Sequence, residues 1–327
     1  MTAIVILSKM IYNIIIFSPF LFLSLMLDSV FGYCLYLALV LCHFKSVFHA
    51  TSNIDINLND KQTGKTSCYL INLDRATERL HNVMRSLNEL NFPVQRIQAV
   101  DGKELSDNYI SSITDEITYM KFFRMLPENG TIGCSLSHLK AWKEFLKSDN
   151  EFALICEDDI SFNPSELIET IEELKKNKNI WDIVNFETLH DGYPQEIMKI
   201  AKNRQLVVYL TNITHAGCYL INRKTAYKLI EKFYPIKVPV DHYFTASWEF
   251  GIKLLGIEPR IVNQVKCESQ IKTGSCKKIN STKLRFQNAK LNIERAIIQA
   301  IYNALIYVKI MWLGGEKNNH QQNGWWF

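Results

Sequence analysis

The sequence predicts an α/β fold, one sheet flanked by helices, with an N-terminal hydrophobic membrane segment ahead of it and a C-terminal helix behind. Three observations predict it. From Ser67 onward, short apolar runs of strand length alternate with segments whose apolar residues recur at helical spacing. The first unit reads strand, polar turn, helix, the arrangement with which open α/β sheets build a ligand crevice at strand ends. Hydrophobic residues make up 47% and charged residues 21% of 327, a composition that supports a folded core and argues against global disorder.

The net charge of +4 is small for this length, and no dense Lys/Arg stripe stands out, which argues against an electrostatically driven nucleic-acid binder. The eight cysteines (34, 42, 68, 134, 156, 218, 267 and 276) show no CxxC pair and no zinc-finger spacing with histidine. Cys68, Cys156 and Cys218 fall inside apolar runs, where a thiol behaves as a small hydrophobe. A reduced, cytosol-facing domain is the simpler expectation.

Residues 4–44 are almost continuously apolar, broken by Lys9, Asp28 and His43. The stretch 10–27 approaches the roughly 20 residues needed to cross a bilayer. A cleaved signal peptide fits less well, for the segment is long and lacks a small-x-small cleavage site. We therefore expect residues 1–50 to be a membrane anchor and 51–66 a polar linker. Residues 67–275 are expected to form the catalytic domain and 276–327 a helical tail. Lys45, Lys61 and Lys65 outnumber Lys9, which favours an inner-membrane protein with its catalytic domain facing the cytoplasm.

The predicted strand 68–73 gives way to Asp74-Arg75-Ala76-Thr77-Glu78-Arg79, and then Leu80, Val83, Met84, Leu87 and Leu90 recur as on a helix. Arg75 and Arg79, four apart, would share a helical face, either meeting a phosphate or forming a solvated first turn. A second strand, 94–100, ends in the turn signal Asp101-Gly102. The small residues of Thr131-Ile132-Gly133-Cys134-Ser135-Leu136-Ser137-His138 read as a helix entrance, where backbone N–H groups favour anions. His138 is there either a substrate contact or a packed helix histidine.

The sharpest signal is the apolar run 152–156 ending in Glu157-Asp158-Asp159. Three consecutive carboxylates at a strand end are costly unless a cation neutralises them, and hard oxygen ligands suit Mg²⁺ or Mn²⁺. The competing account is an acidic loop before a helix capped by Asn163, Pro164 and Glu166. Those caps do not require three acids upstream. Further strands are expected at 181–187, ending in Glu187, and at 214–221, with a helix over 223–233. Pro239-Val240-Asp241-His242 then places an acid and a histidine at a helix start, where Asp241 is either a functional carboxylate or simply the helix's N-cap. The last predicted helix, 281–312, is basic and then apolar, fitting either a membrane interface or packing on the catalytic domain.

Taken in order, these segments resemble glycosyltransferase family 25. The matching pieces are Ile71-Asn72-Leu73-Asp74-Arg75 with Arg79, Ala99-Val100-Asp101-Gly102, Gly133-Cys134-Ser135-Leu136-Ser137-His138, Glu157-Asp158-Asp159 and Pro239-Val240-Asp241. The resemblance implies a GT-A type, Rossmann-like fold and transfer from a UDP-sugar. Bacterial members act mostly on lipooligosaccharide cores with galactose or glucose, and animal relatives galactosylate collagen hydroxylysine. It implies that Asn72, Arg75 and Asp101, with Arg79, Gly102, Ser137 and His138 beside them, line the nucleotide pocket. Glu157, Asp158 and Asp159 would hold ribose and metal. The long apolar N-terminus departs from the usual bacterial pattern, and no histidine near 262–276 offers a late metal ligand.

The expected reaction is metal-dependent and inverting, moving a hexose to a lipooligosaccharide or other glycan acceptor. Its base must face the acceptor. The acidic triplet sits on the leaving-group side, which leaves Asp241, with Glu187 in reserve. A metal-dependent phosphohydrolase, or a membrane-anchored paralogue that binds sugar nucleotides without turnover, are the alternatives.

Overall fold

The computed structural model describes residues 64–188, 192–201, 203–265 and 279–322, with side chains as far as 311. The anchor expected over 1–50 and residues 51–63 of the linker expected over 51–66 lie outside them, and the linker's last residue, Thr66, is already the first of a strand. Among the described residues no helix is long and apolar enough to cross a membrane.

Ten strands and eight α-helices are described, the first unit being β1 (Thr66–Asn72), α1 (Thr77–Leu87) and β2 (Val94–Gln98). Next come α2 (Asp107–Ile113), α3 (Glu116–Phe123) and the long α4 (Asn129–Lys147). β3 (Phe152–Glu157), β4 (Ile160–Phe162) and α5 (Pro164–Lys176) lead to β5 (Ile183–Asn185) and the hairpin β6 (Pro194–Ala201) and β7 (Arg204–Tyr209). β8 (Cys218–Asn222), α6 (Arg223–Glu231) and α7 (Val240–Thr245) precede β9 (Leu254–Glu258), β10 (Val262–Gln264) and α8 (Thr282–Gln322).

Eight strands form one mixed sheet in the order β2-β1-β3-β8-β5-β9-β7-β6, and β4 pairs with β10 in a small second one. β1 runs parallel to β2 and to β3, and β5 parallel to β9, whereas β8 is antiparallel to both its neighbours, β3 and β5. Two reversals restore direction, so β1, β2, β3, β5 and β9 all end at one edge, where β8 begins. Alternation along the strands sends successive side chains to opposite faces. Leu70, Leu154, Cys156, Leu220 and Leu255 pack on one face with residues of α1, α5 and α8. Tyr69, Ile71, Ile155, Tyr219 and Ile221 pack on the other with α4, α6 and α7. Both faces are thus covered, which is why β1, β3 and β8 read as continuous apolar runs.

The tail helix belongs to this body. Ile297, Ile301, Tyr302, Ile306 and Ile310 share the core of the sheet's first face. Tyr302 donates to Ile252 O at 3.0 Å, and Asn303 donates to Tyr209 O at 2.7 Å. Of the two accounts of this helix, packing on the domain is the one its described side chains follow, because buried amide and phenol groups need these carbonyl partners.

Four local expectations need correction. Helix α4 begins at Asn129, so residues 131–138 lie inside it and most of their N–H groups bond within the helix. Gly133 is there because another chain segment crosses it: a Cβ would stand 2.7 Å from Val100 O and 2.8 Å from Gly102 N. Arg75 precedes α1, whose N-cap is Ala76, so it shares no helical face with Arg79. Asn163 caps α5, accepting from Glu166 N at 3.2 Å, but the Glu166 carboxylate turns to Arg204 at 2.8 Å instead of closing a capping box. The N-cap of α7 is Pro239, and Asp241 lies one residue inside the helix.

Candidate active site

The shared edge of the sheet gathers the polar residues that the sequence scattered. Asn72, 1% exposed at the end of β1, donates to Asp158 Oδ2 at 2.7 Å and to Ala76 O at 3.1 Å. Arg96 on β2, which the sequence did not single out, donates to Asn72 Oδ1 at 2.9 Å and fixes the orientation of its amide. Arg75 forms an ion pair with Asp101, and Asp101 also accepts from Lys103 N at 3.0 Å. Gly102 and Ser137 hold the turn against α4. A Cβ on Gly102 would clash with Asn129 O, and Ser137 Oγ accepts from Val100 N at 2.8 Å while donating to Gly133 O.

Beyond β3 the three acids diverge. Arg79 Nε lies 3.1 Å from Asp158 Oδ1, and Arg79 Nη2 pairs with Asp159 Oδ2. Burial, and then the charge of Glu157, push Asp159 up to about 6. Burial likewise raises Asp158. Asp159 Oδ1 is buried without a hydrogen-bond partner. Gln264 on β10 donates to Asp159 Oδ2 at 3.3 Å, and Val265 N donates to Asp159 O at 2.7 Å, so the small second sheet braces the acidic turn. Burial works to raise Glu157 as well, but its hydrogen bond with His138, backed by Arg79 and His215, holds it below the ordinary carboxylate value. His138 is fully buried, with Nδ1 2.9 Å from Tyr219 Oη and Nε2 3.2 Å from Glu157 Oε1.

A cavity of about 330 Å³ opens beside these groups, and Glu157, Glu187, His215, Asp241 and Gln264 are among its lining residues. Glu187 is 2% exposed. Its Oε1 lies 2.7 Å from His215 Nδ1, and its Oε2 is so close to Gly217 that a Cβ there would stand 2.7 Å away. His215 adopts a left-handed backbone, φ 79°, which is uncommon outside glycine and is often held by surrounding structure at functional positions. Asp241 presents its carboxylate from the first turn of α7, with Oδ1 accepting from His242 N at 2.9 Å. Arg295 of α8, stacked over Phe122 and Trp248, donates to His242 O at 2.9 Å and ties this turn to the tail helix.

Residues 65–244 match the family model described as glycosyltransferase family 25 (LPS biosynthesis protein). The chain belongs to this family. A glycosyltransferase 25 family member of Aedes aegypti is 31% identical over 187 residues, 55% of this chain and 30% of that one. Procollagen galactosyltransferase 2 of Mus musculus is 26% identical over 225 residues, 61% of this chain and 35% of that one. The chain therefore spans about a third of the length of these curated relatives. Among solved structures, S. aureus TarS 1–349 in complex with UDP-GlcNAc is similar at a TM-score of 0.36 and 14% identity, covering 63% of this chain and 60% of that one. That likeness carries no argument for this chain.

The family match ends three residues after Asp241, so α8 and its Arg295 contact lie outside it. Three cavity residues, the last two of them on either side of the end of that match, escaped the sequence reading: Cys134, His215 and Gln264. Cys134 was passed over as one of several small residues, Gln264 sits on a three-residue strand, and His215 is marked by a φ that no periodicity reports. His215 carries a testable signature. Its hydrogen bond to Glu187 raises its pKa above the ordinary 6.5, against the opposing pull of burial. A raised folded pKa gives stability that is fully present below the unfolded value and is lost as pH climbs through the folded one. The melting-temperature gap between wild type and Glu187→Gln should accordingly be widest below pH 6.5 and close at alkaline pH. A gap that does not change with pH would show that the pair contributes through packing alone.

Proposed function

We propose that this chain is an inverting hexosyltransferase with a GT-A type architecture. It moves galactose or glucose from a UDP-sugar to a lipooligosaccharide or other glycan acceptor, and residues 4–44 hold it at the inner membrane with the catalytic domain toward the cytoplasm. The observation that carries this reading is the convergence of Glu157, Glu187, His215 and Asp241 on one cavity beside Asp158 and Asp159, at the edge where the parallel strands end. The family's description names lipopolysaccharide biosynthesis, and the mouse relative's name gives galactose as its sugar. The first supports a lipopolysaccharide-type acceptor, the second a hexose donor.

A divalent cation, Mn²⁺ or Mg²⁺, fits the donor set. Asp159 offers a buried oxygen with no hydrogen-bond partner, and burial together with Glu157 makes its negative charge costly even beside Arg79. Glu157, Asp158 and Asp159 would hold the ion by turning toward one another from the directions in which they now diverge, with Arg79 as the counter-charge in its absence. When bound, it offsets the charge that builds on the departing diphosphate. Asn72, Arg75 and Asp101 line the nucleotide side, with Arg96 and the Gly102–Ser137 contact keeping their backbone in place. Asp241 takes the acceptor proton. Glu187 also lines the cavity, with its carboxylate held between His215 and Gly217.

The test is incubation of the full chain with UDP-galactose or UDP-glucose, Mn²⁺ and a glycan acceptor. Sugar transfer is the expected result. Release of UDP or phosphate without transfer would indicate a hydrolase. A thermal shift with no product would indicate a binding paralogue, and either outcome overturns the proposal.

A further inference from the structure

We propose that Trp142, Tyr219 and His138 form a one-way hydrogen-bond chain that fixes the orientation of Glu157 and thereby sets how tightly the cavity takes a uridine nucleotide. All three side chains are fully buried. Trp142 and His138 lie four apart on α4, Tyr219 is on β8, and Glu157 ends β3. The chain therefore runs from the core of the sheet's second face to the cavity.

Its direction follows from counting hydrogens. An indole N–H only donates, and Trp142 Nε1 is 2.8 Å from Tyr219 Oη. The phenol has a single hydrogen, and His138 Nδ1, at 2.9 Å, is the one further polar group bonded to it among the described residues. If Nδ1 carried the ring hydrogen, Tyr219 would accept twice and its own O–H would be buried with no acceptor, at a cost comparable to a lost hydrogen bond. If Tyr219 donates to Nδ1, every group is satisfied. The ring hydrogen then sits on Nε2, which donates to Glu157 Oε1 at 3.2 Å. Trp142, Tyr219 and His138 thus each donate onward, and the chain ends on one oxygen of the carboxylate that lines the cavity.

The same count separates this from a competing arrangement. Ligand atoms of Cys134, His138 and Glu157 all lie within 4.8 Å of one another, a grouping able to hold a metal ion. A metal there would take the Nε2 lone pair, move the ring hydrogen to Nδ1 and strand the Tyr219 hydroxyl. His138, Tyr219 and Trp142 are accordingly positioning residues: they act through Glu157 and touch no substrate.

The binding half of this inference rests on the donor-site reading above, whereas the direction of the chain does not. The experiment therefore has two arms on the full chain. In the first, ¹⁵N spectra of labelled imidazole rings should show His138 with its hydrogen on Nε2. In the second, UDP with Mn²⁺ is titrated calorimetrically against wild type, His138→Leu and His138→Gln. Leucine removes the donor, and loss of an outer partner of this kind typically weakens binding by about 10–100-fold. Glutamine keeps an N–H near the Nε2 position and should restore affinity to within a few-fold. A purely structural role would lower both melting temperatures without separating the two dissociation constants.

A hydrogen on Nδ1, or a His138 signal that shifts to a metal-bound position when Zn²⁺ is added, would overturn the chain. Equal affinity of wild type and His138→Leu would overturn its link to binding. No UDP binding by wild type would overturn that link together with the donor-site reading, while the ring spectrum still decides the direction of the chain.

Discussion

Replacing Asp159 with Asn is expected to lower sugar transfer by about 10²-fold or more while leaving the protein at least as stable as wild type near neutral pH. The two effects have opposite signs because one feature causes both. The Asp159 carboxyl stands above its ordinary 3.8, at about 6, so ionising it in the fold is unfavourable. That cost sets in as pH rises from about 3.8 to about 6, and Asn never incurs it. The same costly charge, with an Oδ1 that has no hydrogen-bond partner, is what a divalent cation would offset further. Removing it weakens cation binding and spares the fold, a familiar exchange at functional sites. Chelation by EDTA should reproduce the activity loss in the wild-type protein. Binding of UDP with Mn²⁺, followed separately by calorimetry, should weaken in the variant, and in wild type it should fall below about pH 6 as a proton competes for the carboxylate. Transfer that survives both EDTA and the substitution would remove the metal from the proposal.

What the sequence disclosed and what it withheld divide along local and non-local lines. The strand ends at Asn72 and Glu157 were legible because strands buried on both faces read as unbroken apolar runs, and a run that stops at a carboxylate marks its own end. The insertion of antiparallel β8 between β3 and β5 was not legible, since periodicity within a strand carries no information about its neighbours. Yet that insertion brings His215 and Gly217 to the edge where Glu187 ends its own strand. Glu187 was visible as a strand-end acid, but its enclosure depends on a glycine thirty residues away. Helix α4 was entered too late because Gly, Thr and Ser look like a loop. Gly133 is a contact with the Val100–Gly102 turn, and nothing within the helix's own sequence requires it. The β6–β7 hairpin went unread as well, for β6 carries mostly half-exposed residues and has no clean alternation.

The C-terminal helix shows how an element outside the matched region reaches the site. Arg295 donates to the carbonyl of His242, next to Asp241, and its guanidinium is clamped between Phe122 and Trp248. Burial lowers its pKa, though not enough to remove a guanidinium's charge at neutral pH. Helix α7 is only six residues long, has no side-chain cap and cannot be stable alone. Its orientation is therefore set by what packs on it, and α8 supplies part of that packing.

Asp241→Asn is the substitution with the largest expected effect, a loss of transfer of about 10²–10⁴-fold, the usual consequence of removing a general base. The structure makes this test cleaner than the sequence alone allowed. Had Asp241 been the N-cap, the fold and the reaction would both have drawn on one carboxylate. Pro239 holds that position, and Asp241 stands one residue inside the helix, where, among the described residues, Oδ1 accepts from the adjacent His242 N. Asn keeps an oxygen for that bond. What it loses for stability is the favourable placing of a negative charge in the first turn, about 0.3–1 kcal/mol. Melting temperature and UDP binding should thus stay near wild type while turnover collapses. The comparison that decides the assignment is His215→Ala, which removes the hydrogen-bond partner of the Glu187 carboxylate. If Asp241 is the base, Asp241→Asn should be the more severe of the two, and raising the pH should not restore it. A variant that keeps more than about a tenth of the wild-type rate, beside a His215→Ala variant that keeps almost none, would transfer the base role from Asp241 to the Glu187–His215 pair.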